Sequence, residues 1–106
     1  MLHTHLKNIE GREVVPGYYG QFIHSETMTV AHWHIEAHHE MPEHAHPHEQ
    51  IFNLFEGTFE LTVAGETVVA EPGTVVIIPP NVKHSGRSLS TCRVIDVFYP
   101  VRKEYQ

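Results

Sequence analysis

A single cysteine, Cys92, in 106 residues excludes an internal disulfide, so no covalent cross-link holds this chain. Basic residues are few: seven Lys and Arg stand against thirteen Asp and Glu, for a net charge of −6 with histidine neutral. A surface that grips nucleic acid needs the opposite sign, and a membrane-surface helix needs a basic amphipathic stretch that is missing here. There is no uninterrupted apolar run long enough for a membrane span, nor a signal-like segment in the polar start Met1-Leu2-His3-Thr4-His5. The expected location is therefore the cytoplasm. Internal repeats, low-complexity tracts and linkers are absent, and no stretch keeps a helical period over three turns. One domain spanning 1–106 is the natural reading at this length.

What is present is a succession of short β-branched and aromatic runs punctuated by Gly, Pro and Asn. Phe22-Ile23 lies in the first expected strand and Met28 to Glu36 forms the second. Ile51 to Phe55 and Thr58 to Val63 flank Glu56-Gly57 and read as a hairpin. Ala64-Gly65-Glu66 turns the chain into Thr67 to Val69, and Pro72-Gly73 turns it into Val75 to Ile78. The last run is Cys92 to Tyr99, ended by Pro100. Short strands at this spacing predict an all-β sandwich or barrel, and a jelly roll closes most of its edges with this number. Five Phe, four Tyr and one Trp are enough aromatic bulk for one packed core. A domain this small buries only about two-thirds of its unfolded surface and gains from a partner. A homodimer is expected, with residues 1–16, more than a barrel needs, free to pair with a neighbour's sheet edge.

Histidine is the outlier: eleven residues, ten of them at or before position 48. Imidazole is the commonest protein metal ligand and titrates near neutral pH, so spacing must distinguish a site from a surface accumulation. In Glu43 to Gly57, EHAHPHEQIFNLFEG, His44 and His46 are two apart and point the same way if extended. Gln50 has the same parity, whereas its neighbour Glu49, the rival ligand, has the other. In PGTVVIIPPNVKHSG a buried run ends at Pro79-Pro80, Asn81 tolerates a left-handed turn, and His84 enters the next strand. The remaining histidines carry weaker signals. His38, His39 and His48 sit by turns and are expected to be solvated, with His48 able to line a pocket mouth. His3 and His5 belong to a frayed terminus, and His24 gives no signal. His32 and His34 oppose the packing face of Ala31, Trp33 and Ile35, pointing outward or toward the pocket. Cys92, with apolar neighbours, reads as a core thiol rather than a nucleophile.

These two segments resemble the paired motifs of the cupin superfamily. The first, HxH, three residues, a carboxylate or amide, six residues and Gly, is met by His44, His46, Gln50 and Gly57. The second, G, five residues, P, one residue, G, two residues and H, is met by Gly73, Pro79 and His84, with Asn81 in the glycine's place. The resemblance implies a double-stranded β-helix, the jelly-roll cupin barrel. It also implies one divalent transition metal, Ni²⁺, Zn²⁺, Mn²⁺, Fe²⁺ or Co²⁺, held by His44, His46, Gln50 and His84. Neutral ligands leave the ion's charge uncancelled, which suits Lewis-acid chemistry.

Alternation along Val94 to Tyr99 puts Asp96 with Val94 and Phe98 on one face and Ile95, Val97 and Tyr99 on the other. Both faces are apolar, so Asp96 is expected to be buried, either clasped to Arg102 or Arg93 or kept for chemistry. The run DVFYPVRKEY, together with HPHEQ in the first motif, resembles the small pectin-degradation cupins of the KdgF type. That likeness implies conversion of 4,5-unsaturated monouronates, released by pectate or alginate lyases, into linear ketouronates. It places the catalytic pair at Asp96 and Arg102, with Phe98 beside the substrate. Tyr99 stands where a smaller residue is usual, which alters the expected pocket shape. The competing expectations are a cupin dioxygenase or isomerase on another small molecule, and a non-catalytic metal- or small-molecule-binding cupin.

Overall fold

The computed structural model describes residues 1–106 as ten strands and two 3₁₀ turns, at Leu6–Asn8 and Lys103–Tyr105. The strands are β1 (Arg12–Val15), β2 (Tyr18–His24), β3 (Thr29–Ile35), β4 (Glu40–His44), β5 (Glu49–Glu56), β6 (Phe59–Val63), β7 (Glu66–Ala70), β8 (Val75–Ile78), β9 (His84–Ser88) and β10 (Cys92–Tyr99). They form a six-stranded sheet ordered β1-β2-β3-β10-β5-β8 and a four-stranded sheet ordered β4-β9-β6-β7, every pairing antiparallel. This is the expected all-β jelly roll.

Period-two patterning decides which way each strand faces. In β3 buried and half-buried positions alternate strictly, with Thr29, Ala31, Trp33 and Ile35 inside and Val30, His32 and His34 outside. In β10 Cys92, Val94, Asp96 and Phe98 are inside. Their neighbours Phe52 and Leu54 of β5 and Phe59 and Leu61 of β6 complete a core between the two sheets. Cys92 is fully buried in it, its Sγ lying 3.2 Å and 3.3 Å from the Ser90 and Thr58 carbonyl oxygens. No helix is long and apolar enough to cross a membrane.

One expectation is corrected here. The turn at Glu56-Gly57 does not close a hairpin: β5 pairs with β10 and β8, β6 pairs with β7 and β9, so the chain changes sheets at this point. The local hairpin is β6–β7, where Ala64 (φ 50°) and Gly65 (φ 81°) both take left-handed conformations in a two-residue turn. Residues 12–15 pair with β2 of the same chain, adding an edge strand to its own sheet.

The sheet-changing turn explains one glycine. Gly57 has φ 88°, and a Cβ there would run into the Thr91 carbonyl oxygen and the Cys92 sulfur. Gly73 has φ 96° but open space around it. Gly57→Ala should therefore destabilise the fold by more than about 2 kcal/mol, and Gly73→Ala by about 1–2 kcal/mol from the left-handed backbone alone. Urea unfolding of the two variants checks the order, and equal midpoints would refute the steric account.

Candidate metal centre

The pairing of β4 with β9 does what the sequence separation hides: it sets His44 directly opposite His84. Opposed residues in an antiparallel pair bring their Cβ atoms to about 5 Å, and the two imidazole centroids lie 4.2 Å apart. His46 follows the end of β4, in the connection to β5, and its ring centroid is 4.9 Å from that of His84. The Asn81 backbone N–H, at φ 64°, donates to the His46 carbonyl at 2.8 Å, so the left-handed turn of the second motif fastens the first in place. One nitrogen from each of His44, His46 and His84 lies within 4.8 Å of the others, an arrangement that could hold a metal ion.

The hydrogen bonding of the rings tests whether they suit one. Each Nδ1 is engaged with a main-chain carbonyl: His44 with Pro42 at 2.8 Å, His46 with His48 at 3.0 Å and His84 with Val82 at 2.9 Å. A carbonyl can only accept, so all three carry the proton on Nδ1 and turn an Nε2 lone pair inward. His84 Nε2 is buried and has no hydrogen-bond partner. His46 Nε2 faces the Gln50 Oε1 at 3.1 Å, two acceptors with no proton between them. A buried group of unpaired acceptors is costly unless a cation satisfies it. Burial, reinforced by the Arg102 and His84 charges, pushes the His46 imidazole down to about 4, and burial also lowers His84. Neutral imidazole is the metal-binding form. The residues present fit a divalent ion.

Gln50 is buried and faces inward on β5, while Glu49 is exposed on the opposite face. Further in, Asp96 is 7% exposed, and its Oδ2 accepts from the Trp33 indole N–H at 3.0 Å. Its Oδ1 lacks a hydrogen-bond partner. Burial raises this carboxyl from 3.8 to about 6, against the opposing pull of the Gln50 amide, the Trp33 indole and the Arg102 charge. The expected Asp96 clasp to Arg102 or Arg93 is thus corrected. Arg93 points outward on β10, and Arg102 donates from Nε to Glu104 Oε1 at 2.6 Å. The guanidinium carbon lies 4.8 Å from the Phe98 ring centroid and 4.3 Å from that of Tyr105, so it is held between two rings. Asp96, Phe98, Arg102, Gln50, His44 and His84 line one cavity, which Tyr105 also borders.

One histidine lies deeper than expected, and another for which the sequence carried no expectation has a structural role. His48, expected to be solvated, is 7% exposed, with its ring centroid 5.4 Å from that of His46 and 6.5 Å from that of Phe98. His24 carried no signal, yet its ring joins Thr29 Oγ1 at 2.8 Å to the Tyr105 carbonyl at 3.0 Å, fastening the C-terminal turn. Nothing local in the sequence marks that role, since Tyr105 is 81 residues away. His32 and His34 lie on the outer face of β3, which settles their direction as away from the cavity.

Comparison with known proteins agrees with this fold. The Cupin domain family matches residues 31–98. No curated protein matches the chain. Among solved structures, an RmlC-like cupin from Shewanella frigidimarina NCIMB 400 superposes with TM-score 0.92 at 24% identity, covering 97% of this chain and 94% of that one. KdgF from Halomonas sp. superposes with TM-score 0.88 at 24% identity, covering 94% of each. Salicylate 1,2-dioxygenase from Pseudoaminobacter salicylatoxidans, with gentisate, gives TM-score 0.78 at 19% identity, covering 82% of this chain and 26% of that one. At these identities the likenesses speak for the fold. This chain belongs to the cupin domain family.

Proposed function

We propose that this cupin is a metal-dependent enzyme that converts 4,5-unsaturated monouronates into linear ketouronates. The observation that carries the reading is Asp96, a buried carboxyl raised to about 6 in the same cavity as the histidine cluster and Arg102. Such a group exchanges protons near neutral pH, where the chemistry needs it. The likeness to KdgF and the run Asp96 to Arg102 support the choice of substrate.

His44, His46, Gln50 and His84 would hold the ion, which when bound supplies Lewis-acid stabilisation of negative charge on substrate oxygen. The reaction is a net isomerisation. The bond between C1 and the ring oxygen breaks as the C1 hydroxyl loses its proton, leaving an aldehyde at C1 and an enolate on the former ring oxygen. The enolate becomes a ketone as C4 gains a proton. Asp96 is the group that takes and returns these protons. Trp33, donating to Oδ2, holds the carboxyl in one orientation and leaves Oδ1 as the working oxygen. Arg102 grips the substrate carboxylate with its planar donor fork, and Phe98 supplies the apolar wall beside it.

The test is the ultraviolet absorbance of the C4=C5 bond of an unsaturated galacturonate or mannuronate monomer. Metal-loaded protein should speed its decay, and chelated protein should return it to the spontaneous rate. Decay at the spontaneous rate for both sugars with loaded protein would refute the activity. Undiminished turnover without O₂ separates it from dioxygenation.

A further inference from the structure

We propose that Glu104 is a resident stand-in for the ligand's carboxylate: it occupies the Arg102 guanidinium while the barrel is closed and yields it when a carboxylate ligand enters. The proposal rests on the reading of Arg102 as the carboxylate grip and names the residue that tunes it.

The first observation is size. The cavity bordered by the histidine cluster, Asp96 and Arg102 has a volume of about 60 Å³. That is room for a few waters, each needing about 10–15 Å³, whereas sites for small organic ligands run to about 300–1,000 Å³. A six-carbon sugar acid therefore needs one wall to move.

The second observation is which wall lies outside both strand ladders. β3, β5 and β10 are neighbours in a continuous hydrogen-bonded ladder, and β4, β6 and β9 form another. The segment after Pro100 belongs to neither. Arg102 N donates to Thr29 Oγ1 at 2.9 Å, Arg12 Nη2 donates to the Glu104 carbonyl at 2.9 Å, and His24 reaches the Tyr105 carbonyl. Tyr105 stacks on Phe22 with centroids 4.3 Å apart and an interplanar angle of 17°. Tyr105 also meets Trp33 and Phe98 edge-on, with centroids 5.8 Å and 5.9 Å away. Single hydrogen bonds and ring contacts, not a strand ladder, hold this 3₁₀ turn, and Arg102 and Tyr105 from it line the cavity.

The third observation is the chemistry at the hinge of that wall. Arg102 directs both Nε, at 2.6 Å, and Nη2, at 2.5 Å, to Glu104 Oε1. A carboxylate is the preferred partner for that edge of a guanidinium. The Arg102 side chain is 11% exposed and that of Glu104 is 50% exposed. Glu104 can thus swing into water while the guanidinium stays between Phe98 and Tyr105. A half-exposed ion pair contributes little, so a second carboxylate can compete with it. Neutral sugars bring no competitor and leave the turn shut, which makes Glu104 a specificity-determining residue.

The experiment is calorimetric titration of metal-loaded wild-type protein and Glu104→Gln with D-galacturonate, a saturated uronate that cannot react, and with D-galactose, which lacks the carboxylate. Removing the competing charge raises the fraction of protein able to bind, and apparent affinity follows that fraction. Galacturonate should bind Glu104→Gln about three- to tenfold tighter, with no gain for galactose. In the wild type, galacturonate should also speed hydrogen exchange at the Tyr105 amide, which bonds the Arg102 carbonyl at 3.1 Å. Equal galacturonate affinity for the two proteins, or an equal gain for galactose, would overturn the role of Glu104 while leaving the uronate reading intact. Galacturonate binding to neither protein would overturn both.

Discussion

Asp96→Asn should abolish turnover of an unsaturated uronate, leave the metal content unchanged, and make the metal-free protein more stable at neutral pH. General acid–base groups contribute about 10²–10⁴ in rate, so a loss of at least a hundredfold is expected. The stability gain follows from the direction of the shift. Burial raises this carboxyl from 3.8 to about 6, so between those values the folded chain holds a proton that the unfolded chain has released. Stability therefore falls as pH rises through that window, and above about 6 the whole penalty is present. Two pKa units correspond to about 3 kcal/mol. Asn keeps an oxygen to accept from the Trp33 indole and carries no charge to bury. The advantage of the variant in urea midpoint, measured on chelated protein, should grow from pH 4 to pH 6 and then level. A gap that ignores pH, or a variant weaker than its parent at pH 7, would refute the burial account; a fully active variant would remove Asp96 from the chemistry.

Removal of His84 should have the second large effect. Its Nε2 is buried without a partner, and its ring is the one that bridges His44 and His46. A ligand that binds only the folded chain stabilises it by about 2.7 kcal/mol when present at a hundred times its dissociation constant. For a domain near this size each kcal/mol moves the midpoint by about 4–8 °C. Wild-type protein should thus gain on the order of 10 °C in Tm with saturating metal, and His84→Ala should gain almost nothing and retain little metal after desalting. Equal stoichiometry and an equal thermal shift in the two proteins would dismiss the centre.

The site was more legible than the closure around it. His44, His46 and Gln50 lie within seven residues, and the six-residue spacing from Gln50 to Gly57 favoured Gln50 over Glu49, which faces outward. His84 was legible because the Pro79 to Asn81 turn has a strong local signature, seen as φ 64° at Asn81. The partner of Asp96 was not legible. Charge arithmetic favoured an arginine, but the indole of Trp33, 63 residues away, reaches it across the β3–β10 pairing that sets Ala31 opposite Asp96. The burial of His48 and the fastening role of His24 were hidden for the same reason.

The sequence marked the histidine and amide set through its likeness to the paired cupin motifs, and by itself it marked most of the strands and the packing face of β3. Those features depend on backbone period and side-chain type over a few residues, and they act before any strand has found its neighbour. Tertiary structure alone decided that Gly57 carries the chain between sheets, that Arg102 rests between two aromatic rings with Glu104 on its outer edge, and that the cavity is small. Strand order and closure are set by contacts between distant segments. Several pairings can satisfy the same alternation of faces, and only the packed barrel selects among them.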